Sequence, residues 1–351
     1  MIAIDNYTVT KSSNTVISYF ENWDEIISFF DEKYSVVVYV VDDKLKDIRS
    51  VSELKNVIYV STGETLKTFR GVEGLISSLY PFQLDRTSTI IAVGGGSLSD
   101  VVGFVASIYL RGISFSSIPS TLLSIVDASI GGKNGINFQD VKNQIGTIYQ
   151  PDYIIHYPPF ILSLPDAELS DGFAEIIKYS MIGNRALFDL INQTNFMSFR
   201  ENVDIYQDIV HRCIIQKFSV IKEDPFEKGR RKILNYGHSF GHAIESLYGL
   251  SHGKSVGLGM IIAANMSEIY YQKKNHFVDQ TKQLLVKYQL PTSIENWDSL
   301  EVFGKIQRDK KKKGAKMEFI LIDEIGHARI ESIPFSDLWD YTEKIHSERW
   351  I

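Results

Sequence analysis

Two kinds of apolar run alternate along the first half of the chain, and only one of them continues into the second. Ser35–Val41 (SVVVYVV) is nearly all β-branched, the pattern of a strand buried on both faces. Val57–Ser61, Thr89–Val93 and Ser114–Ile118 are read as further such runs, and Thr89–Val93 runs straight into Gly94-Gly95-Gly96. Between them apolar residues recur at helical spacing, as in Leu98–Ser107. Strands alternating with helices predict an open, mostly parallel sheet. Ile2–Ser18 alternates with period two, is broken at Asp5-Asn6 and Ser12-Ser13-Asn14, and is predicted to form an antiparallel edge. Pro158-Pro159 marks a break, after which the β-branched runs give way to helical periodicity in Glu168–Met181, Asn202–Lys222, Ser239–Tyr248, Val256–Lys273 and Val278–Tyr288. A short β pair, Lys316–Ile322 and His327–Ile333, precedes a last helix near Phe335–Ser347, and the basic run Lys310–Lys313 is placed in a loop. The pattern predicts an α/β domain over 1–158 and a mostly helical domain over 159–351, with no internal repeat.

Composition narrows the class. The chain has 351 residues, 44% hydrophobic and 23% charged, enough for two domains with substantial cores. A net charge of -6 argues against a general nucleic-acid binder and leaves room for a local basic pocket. Cys213 is the only cysteine, so no intrachain disulfide forms, and its apolar neighbours Ile214 and Ile215 predict a buried, inert thiol. No signal peptide is read at the start, and no run approaches the ~18 apolar residues of a membrane span, so a cytoplasmic protein is expected.

Four clusters carry candidate chemistry. Gly94-Gly95-Gly96-Ser97 leads from a strand into a helix, where glycines let backbone approach a phosphate and the helix start favours negative charge; Asp100 follows in the first turn. The spacing is not G-x-G-x-x-G, and a plain tight turn would look the same. Asp127-Ala-Ser-Ile-Gly-Gly-Lys133, after Ser120-Thr121, offers a second anion cradle, with Lys142-Asn143 ten residues on. In Asn235-Tyr-Gly-His238-Ser-Phe-Gly-His242-Ala-Ile-Glu245 two histidines lie four apart on one helical face, and His252 follows, predicted in a loop. With Glu175 they suit a catalytic divalent ion having open positions. Lys178, three residues after Glu175, shares its face; Lys217 sits in an apolar helical stretch; Arg111, Lys133, Arg231 and Lys310 complete a basic set.

Taken together these segments resemble one family. GGGSLSDVVGFVASIYLRGISFSSIPSTLLSIVDASIGGKNGIN, VKNQIGTIYQP, DGFAEIIKY, RRKILNYGHSFGHAIE, SHGKSVGLGM and DKKKKG…FILIDEIGHA are similar, in the same order over nearly the whole chain, to the 3-dehydroquinate synthases and related sugar phosphate cyclases. The resemblance implies a dehydroquinate synthase-like fold, an N-terminal NAD-binding α/β domain and a C-terminal helical metal domain, with the site in the cleft. It implies Glu175, His238 and His252 as ligands of Zn2+, with Co2+ as an alternative ion. It places Gly94, Gly95, Gly96, Asp100, Ser120, Thr121, Lys142 and Ser163 against NAD, with Asp42, Glu64 and Lys67 on the adenosine side and Asp43 competing with Asp42. It assigns Asp127, Lys178, Asn235 and His242 to catalysis, and Lys133, Asn143, Lys217, Arg231 and Lys310 to the substrate. Arg111 matches an arginine that reaches the partner's site, so a homodimer is implied. Departures are Ser99 for a usual Gly, Asn134 for Thr, Val141 for Gly, Ala167 for Arg, and Lys254 for a Glu, which puts a positive charge beside a metal ligand.

The resemblance further implies a reaction of the shikimate pathway. The substrate is 3-deoxy-D-arabino-heptulosonate 7-phosphate, its carboxylate held by Arg231 and Lys217, its phosphate by Lys133, Asn143, Lys310 and Arg111 of the partner subunit. Transient oxidation by NAD at C5, phosphate elimination, re-reduction, ring opening and an aldol closure give 3-dehydroquinate. Three other readings stay open: a different cyclase (2-deoxy-scyllo-inosose or 2-epi-5-epi-valiolone synthase-like), a metal-dependent alcohol or glycerol dehydrogenase, and a non-catalytic relative.

Overall fold

A computed structural model describes residues 15–139, 141–162, 164–310, 315–348 and 351, without the side chains of 49, 50, 162 and 308–310. The chain divides into two compact units, one formed by Met1–Ser120 and Gly132–Pro158, the other by Thr121–Gly131 and Pro159–Ile351.

The first unit holds strands β1 (Val16–Tyr19), β2 (Val37–Asp42), β3 (Val57–Val60), β4 (Thr89–Gly94), β5 (Ser114–Pro119), β6 (Lys133–Phe138), β7 (Val141–Ile148) and β8 (Tyr153–His156). Six make one sheet in the order β1-β8-β5-β4-β2-β3, and every pairing in it is parallel. All residues of β2 and β4 are buried, which is why their sequences read as unbroken apolar runs rather than alternating ones. Val38, Val40, Ile90 and Ala92 pack with Leu98, Val101, Val102 and Val105 of the helix Gly96–Ile108 and with Val72, Leu75 and Leu79 of the helix Phe69–Leu79. Each such side chain contributes about 1.5–3 kcal/mol when fully buried.

The edge strand departs from expectation. β1 pairs parallel with β8, Val16 against Tyr153 through Tyr19 against His156, where an antiparallel edge was predicted. Period-two alternation reports which faces are buried and carries no information on strand direction. Residues 1–14 of that segment lie outside the described residues.

Chain order reverses at β2: β3 lies on one side of it, and β4, β5 and β8 follow on the other. The Gly94–Ser97 turn therefore leaves the carboxyl end of a strand at a topological switch point, the usual ligand position in open α/β sheets. β6 and β7 form a separate antiparallel hairpin, Lys133 opposite Ile148 and Phe138 opposite Val141. The sequence pattern missed it because Lys133–Ile148 is rich in Asn, Gln, Lys and Gly, which strands usually lack.

The second unit is mostly helical. The helices Asp166–Gly183, Val203–Glu223, His238–Tyr248 and His252–Tyr271 carry the candidate residues, and an antiparallel pair, β9 (Lys316–Glu324) and β10 (His327–Pro334), precedes the final helix Phe335–Ser347. Two placements are corrected. His252 is the first residue of a helix rather than part of a loop, and Lys310 ends the helix Ser299–Lys310 rather than opening a loop. In both, polar first or last turns hid the helix boundary from the apolar periodicity. Ser124–Ala128, which contains Asp127, is a π-helical turn belonging to the second unit. Cys213 is fully buried, and burial pushes its thiol well up, as an inert core thiol requires.

Candidate active site

The cofactor-side residues gather on the first unit. Gly94 ends β4, and a Cβ there would come within 2.6 Å of Leu98 Cδ2 and 3.2 Å of the Asp42 side chain, so only glycine lets Asp42 lie against the turn. Asp42, at the carboxyl end of β2, accepts from Thr62 Oγ1 at 2.7 Å and from the Lys44 N–H at 3.1 Å. Asp43 falls in the next 3-10 turn. The helix Gly96–Ile108 has no side-chain N-cap; the Leu98 and Ser99 N–H groups donate to Gly95 O, each at 3.2 Å. Ser120 donates its N–H to Gly94 O at 3.0 Å.

Lys67 is the hub of this group. Its Nζ donates to Asp100 Oδ2 at 2.6 Å and to Asn143 Oδ1 at 2.5 Å. Lys142 Nζ lies 3.8 Å from Glu64 Oε1, and Asn137 Nδ2 donates to the same carboxylate. Glu64, Lys67, Asp100 and Lys142 are thus brought together, and Asn143 with them. Asn143 donates its N–H to Asn137 Oδ1 at 2.9 Å, and Lys133 starts the same hairpin opposite Ile148. Arg111 is exposed and held at φ 65 in a tight turn. Thr121 falls with the second unit, where its Oγ1 accepts from the Ser124 N–H at 3.2 Å. Ser163 and the Lys310 side chain lie outside the described residues.

On the second unit, one helix, Asp166–Gly183, delivers Glu175 and Lys178. Glu175 is fully buried; its Oε1 lies 3.4 Å from His238 Nε2 and 3.3 Å from His252 Nε2, and its Oε2 pairs with Lys178. One ligand atom from each of Glu175, His238 and His252 lies within 4.8 Å of the others. Burial opposes the Glu175 charge, but Lys178 and His238 hold its carboxyl well below the usual range. Burial also opposes charging His252, yet hydrogen bonds to Glu175 and Glu245 push it up to about 10. His238 turns its Nδ1 to Tyr236 O at 3.1 Å, leaving Nε2 facing inward. One carboxylate and two inward nitrogens make a donor set suited to a divalent ion with open positions. His242, one turn beyond His238, is exposed, its ring centroid 5.3 Å from that of His238 and 6.1 Å from that of His252.

A second charged group adjoins Lys178. Lys217 donates to Asp127, and so does the hydroxyl of fully buried Tyr179. Burial raises the Asp127 carboxyl, but Lys217 and Lys178 outweigh it and hold it near 2. Lys217 is shifted down, because burial outweighs its partners. Arg231 is buried, donates to Pro225 O at 2.7 Å, and crowds Gly131, where a Cβ would meet Nη2 at 2.8 Å. Asn235 Nδ2 donates to Glu227 Oε1 at 2.7 Å. Glu227 escaped the sequence reading, which looked for cations and histidines; its signal was an acid four residues before Arg231.

A family model described as 3-dehydroquinate synthase N-terminal matches residues 57–171, and one described as 3-dehydroquinate synthase C-terminal matches 172–312. The chain belongs to the 3-dehydroquinate synthase family. Among this family's curated members, the 3-dehydroquinate synthase of Sulfurisphaera tokodaii is 36% identical over 310 residues, covering 86% of this chain and 88% of that one. That of Dictyoglomus thermophilum is 40% identical over 300 residues, covering 82% and 81%. Among solved structures, a 2-epi-5-epi-valiolone synthase from Streptomyces hygroscopicus with NAD+ and Zn2+ bound superposes with a TM-score of 0.88 over 98% of this chain and 99% of that one, at 21% identity. At that identity the likeness shows the fold, which is the dehydroquinate synthase-like one. Among the described residues no helix is long and apolar enough to cross a membrane.

Proposed function

We propose that this chain is a metal- and NAD-dependent 3-dehydroquinate synthase, converting 3-deoxy-D-arabino-heptulosonate 7-phosphate to 3-dehydroquinate and phosphate. The observation that carries this reading is the Glu175, His238 and His252 convergence beside Lys178, in a member of that family. When bound, the ion supplies Lewis-acid polarisation of a substrate hydroxyl, and NAD accepts a hydride and returns it within the same turnover.

The protein's residues then divide the work. Glu175, His238 and His252 hold Zn2+, for which Co2+ can substitute. Gly94, Gly95, Gly96, Asp100, Ser120, Thr121 and Lys142 contact NAD, with Asp42, Glu64 and Lys67 toward its adenosine. Arg231 and Lys217 take the substrate carboxylate, since a guanidinium makes the two parallel hydrogen bonds a carboxylate accepts. Lys133, Asn143, Lys310 and Arg111 of the partner subunit take the phosphate in a homodimer. Lys178, Asp127 and Asn235 orient the reacting hydroxyls. Exposed His242 exchanges protons between substrate and solvent, an imidazole being suited to both directions near neutral pH. The departing phosphate carries off the proton released in the elimination.

The test is a substrate comparison. Purified protein with NAD and Zn2+ is given the heptulosonate phosphate and, separately, neutral sugar phosphates of similar size. Phosphate release from the acid alone supports the reading; release only from neutral sugars would assign a different cyclase.

A further inference from the structure

A metal-ligating imidazole depends on what its other nitrogen does, because that bond fixes tautomer and ring orientation. His238 turns its Nδ1 to a backbone carbonyl. His252 differs: its Nδ1 lies 3.4 Å from Glu245 Oε2 while its Nε2 lies 3.3 Å from Glu175 Oε1, so the ring stands between carboxylates from two other helices.

The turn that carries His252 is also held from outside. Ser251 is the N-cap of the helix His252–Tyr271 but makes no side-chain cap within that helix. Its hydroxyl donates instead to Asp171 Oδ1 at 2.6 Å, and the Lys254 N–H donates to Asp171 as well. Gly253 makes this possible: a Cβ there would stand 2.4 Å from Asp171 Cα and 2.7 Å from Asp171 Oδ1. Asp171 precedes Glu175 by one helical turn, so the helix that supplies a ligand also caps the helix that supplies another. The Lys254 charge also favours the ionised Asp171 carboxylate, opposing the effect of its burial.

We propose that Asp171 and Glu245 are positioning residues for the metal centre, Asp171 fixing the helix start that bears His252 and Glu245 fixing the ring. This rests on Glu175, His238 and His252 being the metal ligands. Neither carboxylate enters the ion's coordination.

The test is titration of Zn2+, and of Co2+ followed by its visible absorption, into chelator-stripped full-length protein. Wild type binds one ion per chain. Glu245→Ala and Asp171→Ala raise the dissociation constant about 10–100-fold and alter the cobalt band, while the stripped proteins stay folded, Asp171→Ala melting somewhat lower for the loss of the cap. Glu245→Gln and Asp171→Asn, which keep an acceptor, lose only part of the affinity; they decide the matter should the alanine variants not fold. Dissociation constants within twofold of wild type in folded variants would overturn the positioning role and leave the ligand assignment standing. A wild type that binds no ion would overturn both. Because His242, Glu245 and His252 also offer ligand atoms within 4.8 Å, a second ion lost with Glu245→Ala would make Glu245 a ligand and refute the proposal.

Discussion

Lys217 Nζ lies 2.6 Å from Asp127 Oδ1 and 2.5 Å from the main-chain oxygen of the same residue, ninety positions away in sequence. The bond ties the helix Val203–Glu223 to the π-helical turn Ser124–Ala128. Removing one partner of a buried ion pair costs more than the pair contributes, because the other charge stays behind. Lys217→Met is therefore expected to lose about 3 kcal/mol of stability, at the lower end of the range for buried pairs because the Asp127 side chain is 23% exposed. Asp127→Leu added to that variant restores part of the loss. Urea denaturation of both proteins checks this; a single variant as stable as wild type would refute it.

Metal removal gives the second prediction. Stripping the protein with a chelator is expected to abolish turnover and leave it folded, since Lys178 and protonated His252 neutralise Glu175 without an ion. Zn2+ or Co2+ restores activity to wild type and not to His238→Ala. Full activity in stripped protein, verified metal-free by mass spectrometry, would contradict the ligand assignment.

His156 sets a pH dependence of stability. Both its ring nitrogens are buried with no hydrogen-bond partner, and its ring packs edge-on to Tyr19 at 5.0 Å between centroids. Burial drives it down from 6.5 to about 3. The unfolded chain takes up this proton near 6.5 and the folded chain does not, so the contribution is complete above pH 6.5 and is lost as pH falls toward 3. Between pH 7 and 5 this single group costs about 2 kcal/mol. His156→Phe, which keeps the ring contact, should remove that part of the slope in denaturant titrations at the two pH values. Identical slopes would show that His156 is protonated in the folded protein.

How much was legible follows from the kind of signal. Buried parallel strands announce themselves through Val and Ile runs, and so β2 and β4 were readable. The gathering of Glu175, His238 and His252 was legible through the closely spaced, glycine-flanked histidines and the family resemblance, which supplied Glu175 as their partner. The β6–β7 hairpin and the His252 helix start were hidden, their residues being polar or small. The Asp127–Lys217 bond and the Asp171 cap join residues 90 and 80 positions apart; one sequence holds no trace of such pairs beyond the unexplained lysine in an apolar helix.

Arg111 provides the fourth prediction. Arg111→Ala and His238→Ala are each expected to be inactive, whereas hybrid dimers formed by mixing them under mild denaturation and refolding recover activity, since one site in each hybrid is intact. No recovery in hybrids verified by mass spectrometry would place Arg111 in its own subunit's chemistry or outside it.

Recycling of NAD at a metal-dependent site acting on an anionic sugar phosphate is the central claim. The direct measurement is simultaneous recording of phosphate release and of NADH absorbance when zinc-loaded protein with catalytic NAD meets 3-deoxy-D-arabino-heptulosonate 7-phosphate. The expected result is many phosphates released per NAD, with no net NADH and with dehydroquinate as product. NADH accumulating in step with substrate loss, or no phosphate release at all, would contradict it.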